Sequence, residues 1–129
     1  MLFDTDILIW IQRGNAKAAE LVNRAHTRCI SIVSAMELLQ AASNKAQHRI
    51  IKGFLRDLQF QTLPLTENIG HRALVYVEEY SLSSGLLAAD AIIAATAAEN
   101  SMPLCTSNQK HFKAVSDLEL RIFKPGASR

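Results

Sequence analysis

MLFDTDILIW, the stretch from residue 1 to residue 10, contains the feature that decides the fold. Its apolar lead, residues 1–3, fits a short buried strand, and residues 5–11 can continue as a helix that Arg13-Gly14-Asn15 ends. Asp4 stands between the two elements. We therefore expect a strand followed directly by a helix, with a carboxylate at their junction.

The same alternation of elements continues along the chain. Composition and apolar spacing predict helices over residues 16–25, 34–42, 47–58, 66–80 and 87–99, with a loop over residues 81–85. Short apolar or β-branched runs predict strands over residues 29–32, 60–65, 103–106 and 120–123. Strands that alternate with helices favour an α/β fold, in which helices cover both faces of a mostly parallel sheet.

The composition is that of an ordinary globular domain. With 49% hydrophobic and 20% charged residues among 129, the chain suits one packed domain spanning residues 1–129. A net charge of +2 is compatible with a polyanionic partner but is weak evidence for one. Aspartates interrupt the first apolar run and the longest one, so we expect neither a signal peptide nor a membrane span. The isolated Cys29 and Cys105 predict reduced core thiols in a cytoplasmic protein.

Two aspartates stand in apolar surroundings. In parallel sheets ligands bind beyond the carboxyl ends of the strands, where Asp4 is expected, although Asp4 or Asp6 could simply cap the following helix. Asp90 interrupts LLAADAIIAATAA, and its helical neighbours three, four and seven residues on are all apolar, so its partner must come from elsewhere. The alternative is a helix-start aspartate that accepts from nearby backbone amides. By burial, we expect Asp90 to rank above Asp4.

Glu37 has two interpretations that the sequence leaves open. Ser34-Ala-Met-Glu37 fits a capping box, in which the glutamate reaches back to the amide of the capping residue. If Ser31 begins the helix instead, Glu37 lies in the second turn, with Ser34 one turn earlier on the same face.

Three carboxylates in mostly apolar settings suggest a single acidic pocket, because separate buried charges would each need their own compensation. Pooled carboxylates repel one another unless a cation is present. A hard divalent cation, Mg²⁺ or Mn²⁺, fits oxygen ligands. Zinc is disfavoured because the four histidines lack ligand spacing and no CxxC motif occurs. Three of these histidines are expected at the surface. For His111 too, a surface position near the end of a short helix is favoured over a place in the site.

Four segments, in order, resemble those of the PIN-domain ribonucleases and, within them, the VapC-type toxins of bacterial toxin–antitoxin pairs. They are LFDTDILI (residues 2–9), ISIVSAMELL (30–39), LAADAIIAA (87–95) and LCTSNQKHF (104–112). The resemblance spans nearly the whole chain. It implies a three-layer sandwich, with a short, mostly parallel sheet of four to five strands flanked by helices. It also implies a Mg²⁺-dependent endoribonuclease with a cognate antitoxin, an RNA substrate and a homodimeric state, possibly within a larger toxin–antitoxin assembly.

Carried over residue by residue, the resemblance implies that Asp4, Glu37 and Asp90 form the acidic site, with Asp4 and Asp90 as metal ligands. The family often has aspartate or asparagine at the position of Asn108 and frequently another aspartate at the position of His111, so this site holds three carboxylates where many relatives have four. We therefore expect one water-rich Mg²⁺ site instead of two tightly bound ions, with Asn108 orienting a water or a phosphate.

Two further residues, Thr106 and Asp6, are secondary candidates for the acidic site. Thr106 could hydrogen-bond an acidic neighbour, and Asp6 stands where many relatives have a small polar residue. Substrate-binding residues are not identifiable, although cations near the motifs or on helix faces are candidates: Arg13, Lys45, Arg49, Lys52, Lys110 and Lys113.

Two other functions stay open. A non-catalytic RNA-binding or interaction module could keep the fold without the chemistry. A haloacid-dehalogenase-like phosphatase is suggested by Asp4-Thr-Asp6 after an apolar strand, but Ile7-Leu8 and the lack of a later acidic pair count against it.

Overall fold

Five short strands make up the centre of the molecule in a computed structural model that describes residues 1–126. They are β1 (Leu2–Phe3), β2 (Cys29–Ser31), β3 (Gln61–Leu63), β4 (Leu104–Thr106) and β5 (Leu120–Ile122). Each is parallel to its neighbours, in the order β3-β2-β1-β4-β5. The last three residues of the predicted 1–129 domain lie outside the described residues.

Seven helices connect these strands within residues 1–126. They are α1 (Thr5–Gln12), α2 (Ala16–Arg24), α3 (Ile32–Gln40), α4 (Lys45–Asp57), α5 (Glu67–Ser84), α6 (Ala88–Glu99) and α7 (Gln109–Phe112). Side chains cap the starts of several helices: Thr66 Oγ1 accepts from the Ile69 amide at α5, and Asn15 does the same for Ala18 at α2. The predicted α/β fold with a parallel sheet is confirmed.

The three central strands, β2, β1 and β4, are buried on both faces of the sheet, and successive side chains of each strand point to opposite sides. Leu2 belongs to the core cluster beneath α5 and α6, whereas Phe3 belongs to the cluster beneath α1, α2 and α4. Leu104 and Cys105 of β4 divide in the same way. Every residue of β1 and β4 is buried. The three-layer sandwich that the resemblance implied is therefore present.

The predicted loop over residues 81–85 is wrong for all but its last residue. Helix α5 runs on to Ser84, where the hydroxyl donates to the Tyr80 carbonyl at 2.9 Å. Gly85 then ends the helix with φ +73°, a left-handed conformation that costs glycine little. The serine-rich composition of residues 81–84 suggested a loop, but the residue that ends the helix is Gly85.

Both cysteines are buried and free, as the sequence predicted. No helix within residues 1–126 is long and apolar enough to cross a membrane.

Candidate active site at the carboxyl edge of the sheet

The strand order reverses between β1 and β4. The chain leaves β1 toward β2 on one side, whereas β4 pairs with β1 on the other side. In doubly wound folds ligands bind at this kind of reversal. The Asp4 amide donates to the Cys105 carbonyl at 2.8 Å, which fixes Asp4 where β1 ends against β4.

Asp4 is the N-cap of α1 and also a buried carboxylate, so both interpretations of it hold. Its Oδ1 accepts from the Thr5 amide at 2.8 Å, and its Oδ2 accepts from Thr106 Oγ1 at 2.6 Å. Only 7% of Asp4 is exposed. Burial raises the pKa of Asp4 to about 7, the charges of Asp6 and Asp90 add to the rise, and the two hydrogen bonds oppose it. The expected contact of Thr106 with an acidic neighbour is present.

Asp6 lies in the first turn of α1 and faces the segment that follows β4. Its Oδ2 accepts from the Ser107 amide at 3.1 Å and from the Ser107 hydroxyl. Its Oδ1 is buried and has no hydrogen-bond partner within the described residues. Burial raises the pKa of Asp6, against the hydrogen bonds from Ser107. A buried, unpartnered carboxylate oxygen is costly unless a cation or a water meets it.

Asp90 lies in the first turn of α6, and its Oδ2 accepts from the Leu87 amide at 3.2 Å. The helix-start interpretation is thus correct for one of its contacts. The expected distant partner also exists: His111 Nδ1 lies 3.0 Å from the same oxygen. The expected burial ranking is wrong, because 17% of the Asp90 side chain is exposed, compared with 7% of Asp4. Its position in the first turn brings Asp90 to the rim of the fold.

His111 is not the surface residue that we expected. Only 28% of its side chain is exposed, and its Nδ1 lies 2.9 Å from Asn108 Nδ2 as well as against Asp90. The short helix α7 packs against the core through Phe112, which is fully buried. The other three histidines are exposed, as predicted. Asn108 itself is fixed by its backbone amide, which donates to Thr106 Oγ1 at 3.0 Å.

Glu37 lies in the second turn of α3, because Ser31 is the N-cap. The Ser34 amide donates to Ser31 Oγ at 3.0 Å, so the capping box centred on Ser34 is wrong. Glu37 instead accepts from Thr5 Oγ1 at 2.6 Å. Because Thr5 follows Asp4 directly, this bond links Glu37 to the first residue of the site.

The structure brings Asp4, Asp6 and Asp90 close enough for their charges to raise the pKa of Asp4. Within residues 1–126, however, no three side chains of the histidine, cysteine, aspartate and glutamate types stand close enough together to form a metal site by themselves. A donor set of two carboxylates still suits Mg²⁺, which keeps several of its waters. The unpartnered Asp6 Oδ1 provides one acceptor for such a water.

The sequence predicted no side-chain contact to the site for three hydroxyl residues, although it placed Ser34 on the same helix face as Glu37. Thr5 donates to Glu37, Ser34 contacts Thr5 Oγ1 at 2.8 Å, and Ser107 holds Asp6. Their only sequence signal was their place inside the quoted segments, since small polar residues occur at any turn.

Comparison with known proteins agrees with this architecture. The PIN domain family model matches residues 1–118. No curated protein sequence matches the chain. Among solved structures, a toxin–antitoxin complex from Klebsiella pneumoniae is similar, with 27% identity, a TM-score of 0.79 and 98% of each chain covered.

Two further solved structures share the fold at lower identity. VapBC2 from Rickettsia felis, bound to a DNA fragment from its promoter, has 22% identity and a TM-score of 0.77, with 95% of this chain and 98% of that chain covered. VapBC-1 from nontypeable Haemophilus influenzae has 22% identity and a TM-score of 0.79, with 94% and 96% covered. The resemblance that four sequence segments indicated is confirmed, and the chain belongs to the PIN domain family.

Proposed function

We propose that the chain is a metal-dependent endoribonuclease and the toxin of a toxin–antitoxin pair. The observation that carries the proposal is the Asp4 carboxyl, whose pKa rises to about 7 in a buried position beside Asp6 and Asp90. Within residues 1–126, no lysine or arginine pairs with any of these three carboxylates. A divalent cation is the compensation that this arrangement lacks.

Asp4 and Asp90 are the proposed metal ligands, with Mg²⁺ as the preferred ion and Mn²⁺ as an alternative. When bound, the ion supplies an activated water and offsets the charge that develops on the phosphate and the leaving oxygen. Glu37, held by Thr5, would position the attacking water or accept its proton. Asn108 orients a phosphate oxygen or a water through its amide, which lies beside His111.

An antitoxin partner is part of the proposal, because similar solved structures are toxin–antitoxin complexes. A groove of about 260 Å³ opens between α1, α3 and α4. Glu37 and the exposed Ile50 are among its lining residues. An antitoxin segment with apolar side chains and a basic one fits this lining, with the basic group near Glu37. The proposed assembly is a homodimer that binds the antitoxin.

An RNA cleavage assay tests the enzymatic part. Purified protein should cut a structured RNA in Mg²⁺, should stop in EDTA, and should lose activity as Asp4→Asn or Asp90→Asn. Asp57→Asn is the matched control, since Asp57 is exposed on α4 and paired only loosely with Arg56 at 3.6 Å. Cleavage that survives both site substitutions would overturn the assignment of Asp4 and Asp90.

The assay also separates the alternatives. A non-catalytic module, which the non-acidic Asn108 and His111 favour, should bind RNA without cutting it. A phosphatase should release phosphate from small esters. For the toxin role, expression should arrest growth, and co-expression of a small protein encoded beside the gene should relieve the arrest. The absence of any such neighbour would argue against the toxin–antitoxin part alone.

A further inference from the structure

We propose that a cleft between the end of α5 and helix α7 is a subsite for RNA backbone phosphates beside the acidic centre, an assignment that rests on the proposed ribonuclease function. The cleft has a volume of about 550 Å³. Its lining residues include Ser83, Ser84, Gly85, Lys110, His111 and Lys113. Lys110 and Lys113 are two of the six cations that the sequence offered as candidates for substrate binding, and the structure places both in this cleft.

The charge of this cleft suits a polyanion. Lys110 and Lys113 are exposed, and the lining contains no carboxylate. In the part of the chain that the structure describes, neither ammonium group forms an ion pair. A lysine without a carboxylate partner can neutralise a nucleic-acid phosphate, and the release of the cations condensed on that phosphate drives binding.

Another cleft, of about 500 Å³, is also basic, but it meets the acidic centre only through Cys105 of the buried strand β4. It lies between α2 and β5, and Lys17 and Lys124 contribute to its lining. Its two arginines are already paired, Arg24 with Glu20 and Arg121 with Glu119. None of its lining residues contacts Asp4, Asp6 or Asp90 through a side-chain hydrogen bond. RNA held there would not be directed to the proposed metal ligands.

His111 joins the proposed subsite to the acidic centre, because it lines the cleft and its Nδ1 contacts Asp90. A carboxylate only accepts hydrogen bonds, so Nδ1 carries the hydrogen in this contact. Asn108 Nδ2 lies 2.9 Å from the same nitrogen, and because two N–H donors cannot bond each other, this tautomer requires the Asn108 amide to be turned so that its oxygen faces Nδ1. A strand whose phosphates pass Lys110 and Lys113 therefore continues toward the metal ligand Asp90.

The rim formed by α5 adds features that suit RNA. Ser83 is exposed at the end of the helix and can donate a hydrogen bond to a phosphate oxygen. Ser84 donates to the Tyr80 carbonyl, which leaves its lone pairs free to accept from a 2′-hydroxyl. Gly85 has open space where a side chain would be, so no side chain obstructs the cleft at this point. The carbonyl end of α5 repels anions, so the lysines must supply the attraction.

The test is the salt dependence of binding to a short fluorescein-labelled single-stranded RNA, measured in EDTA so that the strand stays intact. Lys110→Gln with Lys113→Gln should weaken binding on the order of tenfold at low salt. The slope of log K against log salt should fall by about 1.4, because each single-strand phosphate contact contributes about 0.7. Lys17→Gln with Lys124→Gln is the matched control, and thermal melting verifies that both variants fold.

Each outcome decides the assignment. A selective loss in the Lys110 and Lys113 variant supports it, and weaker binding of the matching DNA strand supports a contact with the 2′-hydroxyl. Unchanged affinity and slope in that variant, an equal loss in the control, or no RNA binding by the unsubstituted protein would overturn it. Binding without cleavage in Mg²⁺ would instead contradict the ribonuclease activity and leave the subsite standing.

Discussion

Thr5 Oγ1 lies 2.6 Å from Glu37 Oε1, and the same hydroxyl oxygen lies 2.8 Å from Ser34 Oγ. Because a hydroxyl has one hydrogen and a carboxylate only accepts, the Thr5 hydrogen goes to Glu37, and Ser34 can donate to Thr5. Thr5 also donates its amide to Asp4 Oδ1. One buried threonine therefore sets the position of Glu37 relative to Asp4.

Thr5→Val should displace the Glu37 carboxylate without removing its charge. Removing a hydrogen bond to a charged group costs about 1.5–3 kcal/mol, so the free energy of unfolding should fall by roughly that amount. RNA cleavage should fall between roughly ten- and a hundredfold, because a displaced catalytic group loses its alignment. Thr5→Ser keeps the hydroxyl and should retain most activity. Equal cleavage by the two variants would mean that Glu37 does not depend on Thr5.

Asp4→Asn should stabilise the metal-free protein at pH 8. The folded-state pKa of Asp4 is raised from 3.8 to about 7, so between these values the folded protein binds a proton that the unfolded chain does not. The free energy of unfolding therefore falls as the pH rises through this interval, and the penalty is complete above pH 7. Asparagine removes the penalty, and the gain should reach roughly 1–3 kcal/mol.

Urea unfolding in EDTA at a series of pH values measures this effect. The difference between Asp4→Asn and the unsubstituted protein should be largest at pH 8 and should shrink toward pH 4. Asp57→Asn, at an exposed carboxylate, should change stability little at either pH. A difference that grows toward acidic pH would show that burial does not destabilise the Asp4 charge.

The sequence predicted most of the fold because the signals were local. The apolar run before Asp4 and the Arg13-Gly14-Asn15 segment that ends α1 both act within a few residues, and the strands of a parallel sheet follow from their alternation with helices. The carboxyl edge was predictable for the same reason: Asp4 directly follows β1, and no long-range information is needed to place it there.

The parts of the site that could not be predicted depend on contacts across many residues. The Asp90 and His111 contact spans 21 positions, and Ser107 reaches Asp6 across 101. Burial of Asp90 was overestimated because an apolar sequence around a residue does not reveal that it lies in an exposed first turn. Glu37 was ambiguous because two serines three residues apart can each begin the helix, and only packing selects Ser31.

Cys105 should be inert toward thiol reagents in the folded protein. Burial raises the pKa of its thiol to about 12, and the nearby charges of Asp6 and Asp4 add to the rise. The reactive thiolate is therefore almost absent at pH 8. Burial also raises the pKa of Cys29. Ellman's reagent should label neither thiol before unfolding and both in guanidinium, and rapid labelling of Cys105 in the folded state would contradict its burial in β4.

Mg²⁺ should raise the melting temperature of the unsubstituted protein, because an ion that binds only the folded state stabilises it by mass action. At a concentration of 100 times Kd the gain in unfolding free energy is about 2.7 kcal/mol. Asp4→Asn and Asp90→Asn should each abolish most of the gain, whereas Asp57→Asn should keep it. Scanning calorimetry with and without EDTA provides the measurement. If Mg²⁺ stabilised all four proteins equally, the ion would bind at a site that does not include Asp4 or Asp90.

His111→Asp should change metal binding in the direction opposite to the loss of Asp90. The substitution removes the ring nitrogen that contacts Asp90 Oδ2 and adds a negative charge near a group whose charge already raises the pKa of Asp4. The metal-free protein should therefore become less stable, and Mg²⁺ should stabilise it more strongly than it stabilises the unsubstituted protein.

His111→Asn keeps a donor near the position of Nδ1 and serves as the uncharged control. Titration calorimetry with Mg²⁺ and Mn²⁺ compares the affinities and the number of ions bound, and an affinity for His111→Asp no higher than that for His111→Asn would exclude residue 111 from the ion's surroundings.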